Sequence, residues 1–187
     1  DSTVAAWMMA KRGCEVVLLH FGDTPIDKIQ TLLESFSGKK IQLIHLPHHS
    51  YLSHLKMTNA GKYLCVLCKM GMYFAAEYYA KKTGSKAIVT GENLAQVASQ
   101  TLDNMISMSS MVTMLLLRPL VGMDKETIIN LAKKIGSFEL YHNPECPFVP
   151  SHPSTTISAD KLSRLIQSDP FTRAFNEWKI NFIPNEK

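Results

Sequence analysis

The sequence holds no apolar run approaching the roughly 20 residues that cross a bilayer, no visible signal peptide, no internal repeat and no low-complexity tract. These absences argue against a membrane span, a solenoid or a disordered linker, and the expected setting is the cytoplasm, away from any membrane. Cysteine is scarce: four in 187 residues do not make the disulfide framework of a small secreted domain. Charge of one sign is barely in excess, with 20 basic against 16 acidic side chains and a net charge of +4. That balance permits a polyanionic partner without demanding one. What is present is ordinary for a folded domain, with 45% hydrophobic and 19% charged residues. The length suffices for one substantial core and a small appendage.

Helical and strand patterns alternate along the chain. Val4 to Lys11 reads as a helix closed by Gly13, and Glu15 to Phe21 as an apolar strand. Ile26, Ile29, Leu32 and Leu33 mark one face of a helix running to Phe36. Lys40 to Leu46 is a second strand, stopped by Pro47, and Tyr63 to Lys82 a long helix ended by Gly84. Ala87 to Thr90 and Leu115 to Arg118 supply two further strands. A helix follows from Asp124, its N-cap, to Ile135, and a last one around Ala159 to Gln167. This alternation predicts an α/β fold, a parallel twisted sheet with helices on both faces and right-handed crossovers. Its strands are apolar enough to be buried on both faces. Ligands of such sheets bind beyond the C-terminal strand ends, which are His20, Phe21, Thr90 and Gly91.

The most specific stretch is Thr90-Gly-Glu-Asn-Leu-Ala-Gln-Val-Ala-Ser-Gln-Thr-Leu-Asp-Asn104. Small residues just past a strand let a nucleotide approach the backbone, and polar side chains can then hold it. The plainer alternative is a polar loop capped by Thr90 and Glu92. The string resembles the signature of the tRNA 4-thiouridine synthetases, or tRNA uracil 4-sulfurtransferases, the ThiI-type thiamine biosynthesis proteins. Leu116-Leu-Arg-Pro-Leu120, Asp124-Lys-Glu126 and Ile135-Gly136 follow at the family's spacing, and the likeness runs from residue 1 to about Pro153. It implies a PP-loop ATP pyrophosphatase fold of the adenine nucleotide alpha hydrolase type over 1–153, with 154–187 a C-terminal helical extension of the same domain.

The family's phosphate loop is similar at its last two residues to Asp1-Ser2, so its strand and glycines are expected to precede the chain. The physical logic is a helix N-terminus that offers N–H groups and partial positive charge to pyrophosphate. The resemblance further implies nucleotide contacts at Ser2, His20, Phe21, Lys69, Gly91 and Gln100, and catalytic roles for Asp1, Lys125 and Cys146. Each has a plainer reading. His20 and Phe21 would close a buried strand, Lys69 would be a solvated helix charge, and Lys125 an exposed first-turn lysine set against the helix dipole.

Cysteine spacing bears on the sulfur chemistry. Cys65 and Cys68 stand at i and i+3 of the predicted helix, on one face and one turn apart. Cys146 lies in Asn143-Pro-Glu-Cys-Pro-Phe148, at a position similar to the family's catalytic cysteine. Three readings stay open. The three thiols would hold an iron–sulfur cluster with one open iron, serve as persulfide carrier and disulfide partners, or, for the pair, simply pack. Zinc would require a fourth ligand, from His142 or His152. If the site is shared, the sulfurs should lie within roughly 4–7 Å of one another. Cys14 is expected in the core, and Gly71 thins the long helix for a ligand or another segment.

The implied reaction uses ATP and Mg²⁺. A tRNA uracil is adenylated at O4, and the oxygen is then replaced by sulfur from a cysteine desulfurase or free sulfide. The same sulfur would be available for thiamine thiazole synthesis. The family's tRNA-gripping THUMP region and its rhodanese-like domain find no match in these residues, so a longer protein is expected, and a homodimer is compatible. The rivals are a 2-thiolating PP-loop enzyme and an idle tRNA- or cluster-binding module.

Overall fold

The structure, a computed structural model, describes residues 1–22, 24–58, 60–140 and 146–180. Among these, four strands form two parallel pairs. In the first, β1 (Val17–Phe21) lies against β2 (Gln42–Leu46) in a register running from Val17↔Gln42 to Phe21↔Leu46. In the second, β3 (Ala87–Val89) lies against β4 (Leu115–Leu117), with Val89 opposite Leu117. The helices are α1 (Ser2–Lys11), α2 (Asp27–Ser37), α3 (His49–Met57), α4 (Leu64–Thr83), α5 (Leu102–Ser109), α6 (Lys125–Lys134), α7 (Ala159–Ile166) and α8 (Asp169–Ile180).

The period of two along the strands sorts the helices into layers. Leu18 of β1 and Leu43 of β2 join Ile29, Leu33 and Ile41 on the side of α1 and α2. Leu19, Phe21, Ile44 and Leu46 point the other way, into a core built by α3, α4, α7 and α8. Val4 and Ala5 of α1 meet Ile128 of α6 in a third cluster. Parallel strands between two helical layers satisfy the α/β expectation. Burial on both faces holds only in part, since Leu46 and Ile88 are buried while Val89 and Leu115 remain exposed. Strands divided into two pairs leave edges and outer faces open.

Local signals set most boundaries. Gly38 and Gly84 end α2 and α4 at φ of +67° and +70°, a left-handed turn that glycine adopts without a Cβ penalty. Asp124 caps α6 by accepting from Thr127 N at 2.7 Å. Three helices escaped the pattern reading. In α3 the apolar face is only Tyr51, Leu52 and Leu55, too short a stripe to register. α5 begins in the motif read as a loop and runs beyond it to Ser109. In α8, Pro170 obscures a helix whose first turn tolerates it. Cys14, expected in the core, is exposed at the turn after α1.

Candidate active site

The N-terminus of α1 abuts the end of β3. A Cβ on Gly91 would stand 2.7 Å from Ser2 Cα and 2.8 Å from the Asp1 carbonyl carbon, so only glycine lets the two backbones meet. Lys125, first residue of α6, reaches Asp1 Oδ1 at 2.7 Å. Burial lowers the Lys125 pKa from its ordinary value. α1 has no acidic residue in its first turn and no side-chain cap, so its leading N–H groups and positive dipole end lack a capping side chain beside Gly91 and Lys125. Asp1, Ser2, Gly91 and Lys125, far apart in sequence, thus form one cluster fit for an anion.

Immediately beyond Gly91 lies a buried carboxylate. Glu92 accepts from Lys69 Nζ at 2.8 Å, Tyr73 OH at 2.5 Å, Thr90 Oγ1 at 3.1 Å and Arg118 Nε at 2.7 Å. Arg118 also donates to Tyr73 OH and Ser109 Oγ, at 3.2 and 2.9 Å. Burial opposes charge on Glu92, but the Lys69 ammonium and the hydrogen bonds from Lys69, Tyr73 and Arg118 outweigh it and hold the pKa at about 2. Lys69, expected at the nucleotide, therefore donates at least one of its N–H groups to Glu92. Sequence reading treated Glu92 as a loop cap and gave Arg118 no role. The available signal was a charged residue soon after each of two apolar strands, Glu92 three residues past β3 and Arg118 directly past β4, whose parallel pairing brings the two strand ends together.

The rest of the motif is a brace. Asn93 Nδ2 donates to Met123 O at 2.6 Å and Leu94 N to Val121 O at 3.2 Å, fastening the loop to the segment before α6. Gln100 Oε1 accepts from Asn93 N at 3.3 Å, and its carbonyl accepts from Ala95, which sits at φ +61°. The side chain expected at the nucleotide therefore closes its own loop. At the far end, buried Asn104 donates to Ala98 O and Ser154 O at 2.8 and 2.9 Å, and Thr101 Oγ1 to Thr155 O at 2.5 Å. These bonds hold the segment that follows Cys146.

At the end of β1, His20 meets His45 edge-on at 5.3 Å between ring centroids. Phe21 packs against His48 and Trp178, at 6.1 and 6.0 Å. Phe21 is thus engaged with the core on the α8 side.

The thiols occupy the first turns of α4 and the loop facing them. Cys68 Sγ lies 3.3 Å from His48 Nε2. Burial first, and then the charges of Cys65 and Cys146, push the Cys68 pKa far up, while Lys69 opposes. Burial and the charge of Cys146 likewise raise Cys65, again against Lys69. Cys146 acts electrostatically on both Cys65 and Cys68, so the three thiols lie within reach of one another, and Lys69 links them to Glu92. Their chemistry suits iron, since each thiolate would be relieved by a cation. Among the described residues, however, no three Cys, His, Asp or Glu side chains are drawn together as a metal site. Cys146 is exposed, opening a turn in which Val149 N donates to its carbonyl at 3.4 Å. His142 lies outside the described residues. Gly71 admits a segment, not a ligand: a Cβ there would strike the Tyr51 ring, 2.6 Å from Cε1.

Known proteins share this arrangement of sequence and fold. The family model for thiamine biosynthesis protein (ThiI) matches residues 1–169, past the Pro153 limit read from motifs. A probable tRNA sulfurtransferase of Methanocaldococcus jannaschii is 38% identical over 175 residues, covering 88% of this chain and 46% of that protein. One from Methanothermobacter thermautotrophicus is 42% identical over 167 residues, covering 83% and 43%. A crystal structure of a 4-thiouridine synthetase–RNA complex with bound ATP superposes with a TM-score of 0.86 at 33% identity, over 95% of this chain and 50% of that one. The chain spans about half the length of the relatives it matches. With nine-tenths of its residues inside the family match, the chain belongs to the thiamine biosynthesis protein (ThiI) family.

Proposed function

We propose that this chain is the ATP-using, sulfur-transferring part of a tRNA 4-thiouridine synthetase. The observation that carries the reading is the seating of the α1 N-terminus on Gly91 with Lys125 alongside. It is a preformed anion cradle at a strand end, where α/β folds take nucleotides. The relatives named as tRNA sulfurtransferases, and the neighbour's bound ATP and RNA, support it.

In the proposed reaction, ATP phosphates lie at the α1 N-terminus, and the Asp1 carboxylate would hold the Mg²⁺ that would neutralise them. Uracil O4 attacks the α-phosphorus, the bond to pyrophosphate breaks, and Lys125 stabilises the departing charge. The terminal sulfur of a Cys146 persulfide, loaded by a cysteine persulfide donor, attacks C4, and AMP leaves with the old oxygen. A thiolate then attacks Cys146 Sγ, forming a protein disulfide and releasing the thiouridine, and an external dithiol resets the pair. Cys65 is the better attacker, because Cys68 is engaged with His48 Nε2 and its pKa is raised further. The same three thiols are also the ligands an iron–sulfur cluster would take, which would hold sulfide on an open iron. Sulfur held on Cys146 would equally be available for thiazole synthesis.

Two variants of the full-length protein test the reading. Cys146→Ser should abolish 4-thiouridine while ATP affinity stays at the wild-type value. Gly91→Val should lose both, because its side chain must displace the α1 N-terminus. Wild-type thiolation by Cys146→Ser, or unchanged ATP affinity in Gly91→Val by calorimetry, would remove the assignment. Iron and sulfide analysis of anaerobically purified protein separates the cluster from the free thiols.

A further inference from the structure

A groove of about 430 Å³ adjoins Cys146, lined among others by Lys56, Lys62, Leu64, Phe148 and His152. Two of these are lysines, and none of the described lining residues is acidic. Aromatic rings stand beside the cations. Lys56 Nζ stands 5.9 Å from the Phe148 ring centre, and Phe148 meets His49 edge-on at 5.2 Å. Tyr63, next to Lys62 in sequence, has Lys62 and Lys161 over its ring at 5.3 and 6.0 Å. The wall is anchored, since Ser154 N donates to Lys62 O at 2.9 Å.

Exposed lysines at a helix end are commonly just solvated, and a ring under an ammonium is commonly packing. Here the Lys56–Phe148 pair lines the groove together with Lys62, whose ammonium stands over the neighbouring Tyr63, and that groove starts at the residue after Cys146. Its volume is in the range that holds a small ligand or a single nucleotide. Cations that track phosphates, with rings on which bases stack, are the means by which proteins hold single-stranded nucleic acid. We propose that this groove binds the unpaired RNA nucleotides adjoining the target uridine, with Lys56 and Lys62 on phosphates and a base on Phe148. The inference rests on the proposed function for the identity of the RNA. Binding itself is measured without thiolation.

The probe is a fluorescein-labelled unmodified tRNA transcript, titrated by anisotropy against the full-length protein at several salt concentrations. Lys56 and Lys62 are both exposed, so Lys56→Ala/Lys62→Ala should fold normally and keep its ATP affinity. Each single-strand phosphate contact contributes about 0.7 to the slope of log K against log salt, so the slope should shrink by about 1.4 and affinity fall roughly tenfold. Phe148→Leu should weaken binding roughly tenfold with the slope unchanged. Unchanged slope and affinity in the double variant overturn the proposal. So does an outcome in which RNA binding is intact but sulfur loading by a protein persulfide donor is lost, since the groove then docks an acidic protein. Absence of 4-thiouridine in the wild type would sink the proposed function, yet leave the anisotropy result to decide the groove.

Discussion

Glu92 concentrates the electrostatics of the site in one side chain. It is 5% exposed and is ionised because two cations and a phenol surround it. Its folded pKa of about 2 lies below the ordinary 4.5, so the native state binds its proton less readily than the unfolded chain. The stabilisation is therefore complete above pH 4.5 and lost as pH falls through about 2. The gap corresponds to about 3 kcal/mol. Glu92→Gln should cost a similar amount, about 3 kcal/mol at neutral pH, by leaving Lys69 and Arg118 without their counter-charge. Urea unfolding should show the difference between wild type and variant shrinking as the solution is acidified toward pH 2. A difference that stays constant with pH would mean that the carboxylate's charge is not what stabilises the site.

At the scale of elements, the motif from Thr90 to Asn104 works as a strut with a different task at each end. Its first residues seat α1 and collect the Glu92 network, and its last begin α5 and hold the segment after Cys146. Thr101 caps that helix by accepting from Asn104 N at 3.4 Å. Asn104→Ala would leave one buried and one partly buried carbonyl without their donor, an expected loss of about 2 kcal/mol. Thiolation should fall more than ATP affinity, since Ser154 is released while Gly91 is untouched. Calorimetric ATP titration beside a 4-thiouridine assay measures the split, and equal losses in both would mean that the strut acts on the whole domain.

For the molecule as a whole, the C-terminal helices belong to the main core. Trp178 of α8 is fully buried, stacks on Tyr51 at 4.5 Å and donates its indole N–H to Pro47 O. Tyr51 in turn donates to Leu67 O of α4 at 2.9 Å, so α8, α3 and α4 form one packed unit around the wall that carries Cys68 and His48. Trp178→Ala should lower stability by about 3–5 kcal/mol. Denaturant unfolding should retain a single transition, whereas an independent C-terminal appendage would melt separately and leave the main transition unmoved.

The sequence by itself determined the alternation of elements, most helix stops, the family-specific string and the pairing of two thiols on one helix face. Each is a local property: a 3.6- or 2-residue period, a glycine or proline, a short run of side chains. Only the tertiary structure decided which distant residues meet. Gly91 beside Ser2, Lys125 on Asp1 and Arg118 on Glu92 follow from strand pairing and helix layering. Gln100 and Phe21 are held by loop closure and core packing. α3 leaves little trace in the sequence because its stability comes from Gly71 making room for Tyr51. A contact of that kind is a property of two elements together, and no period within either one encodes it.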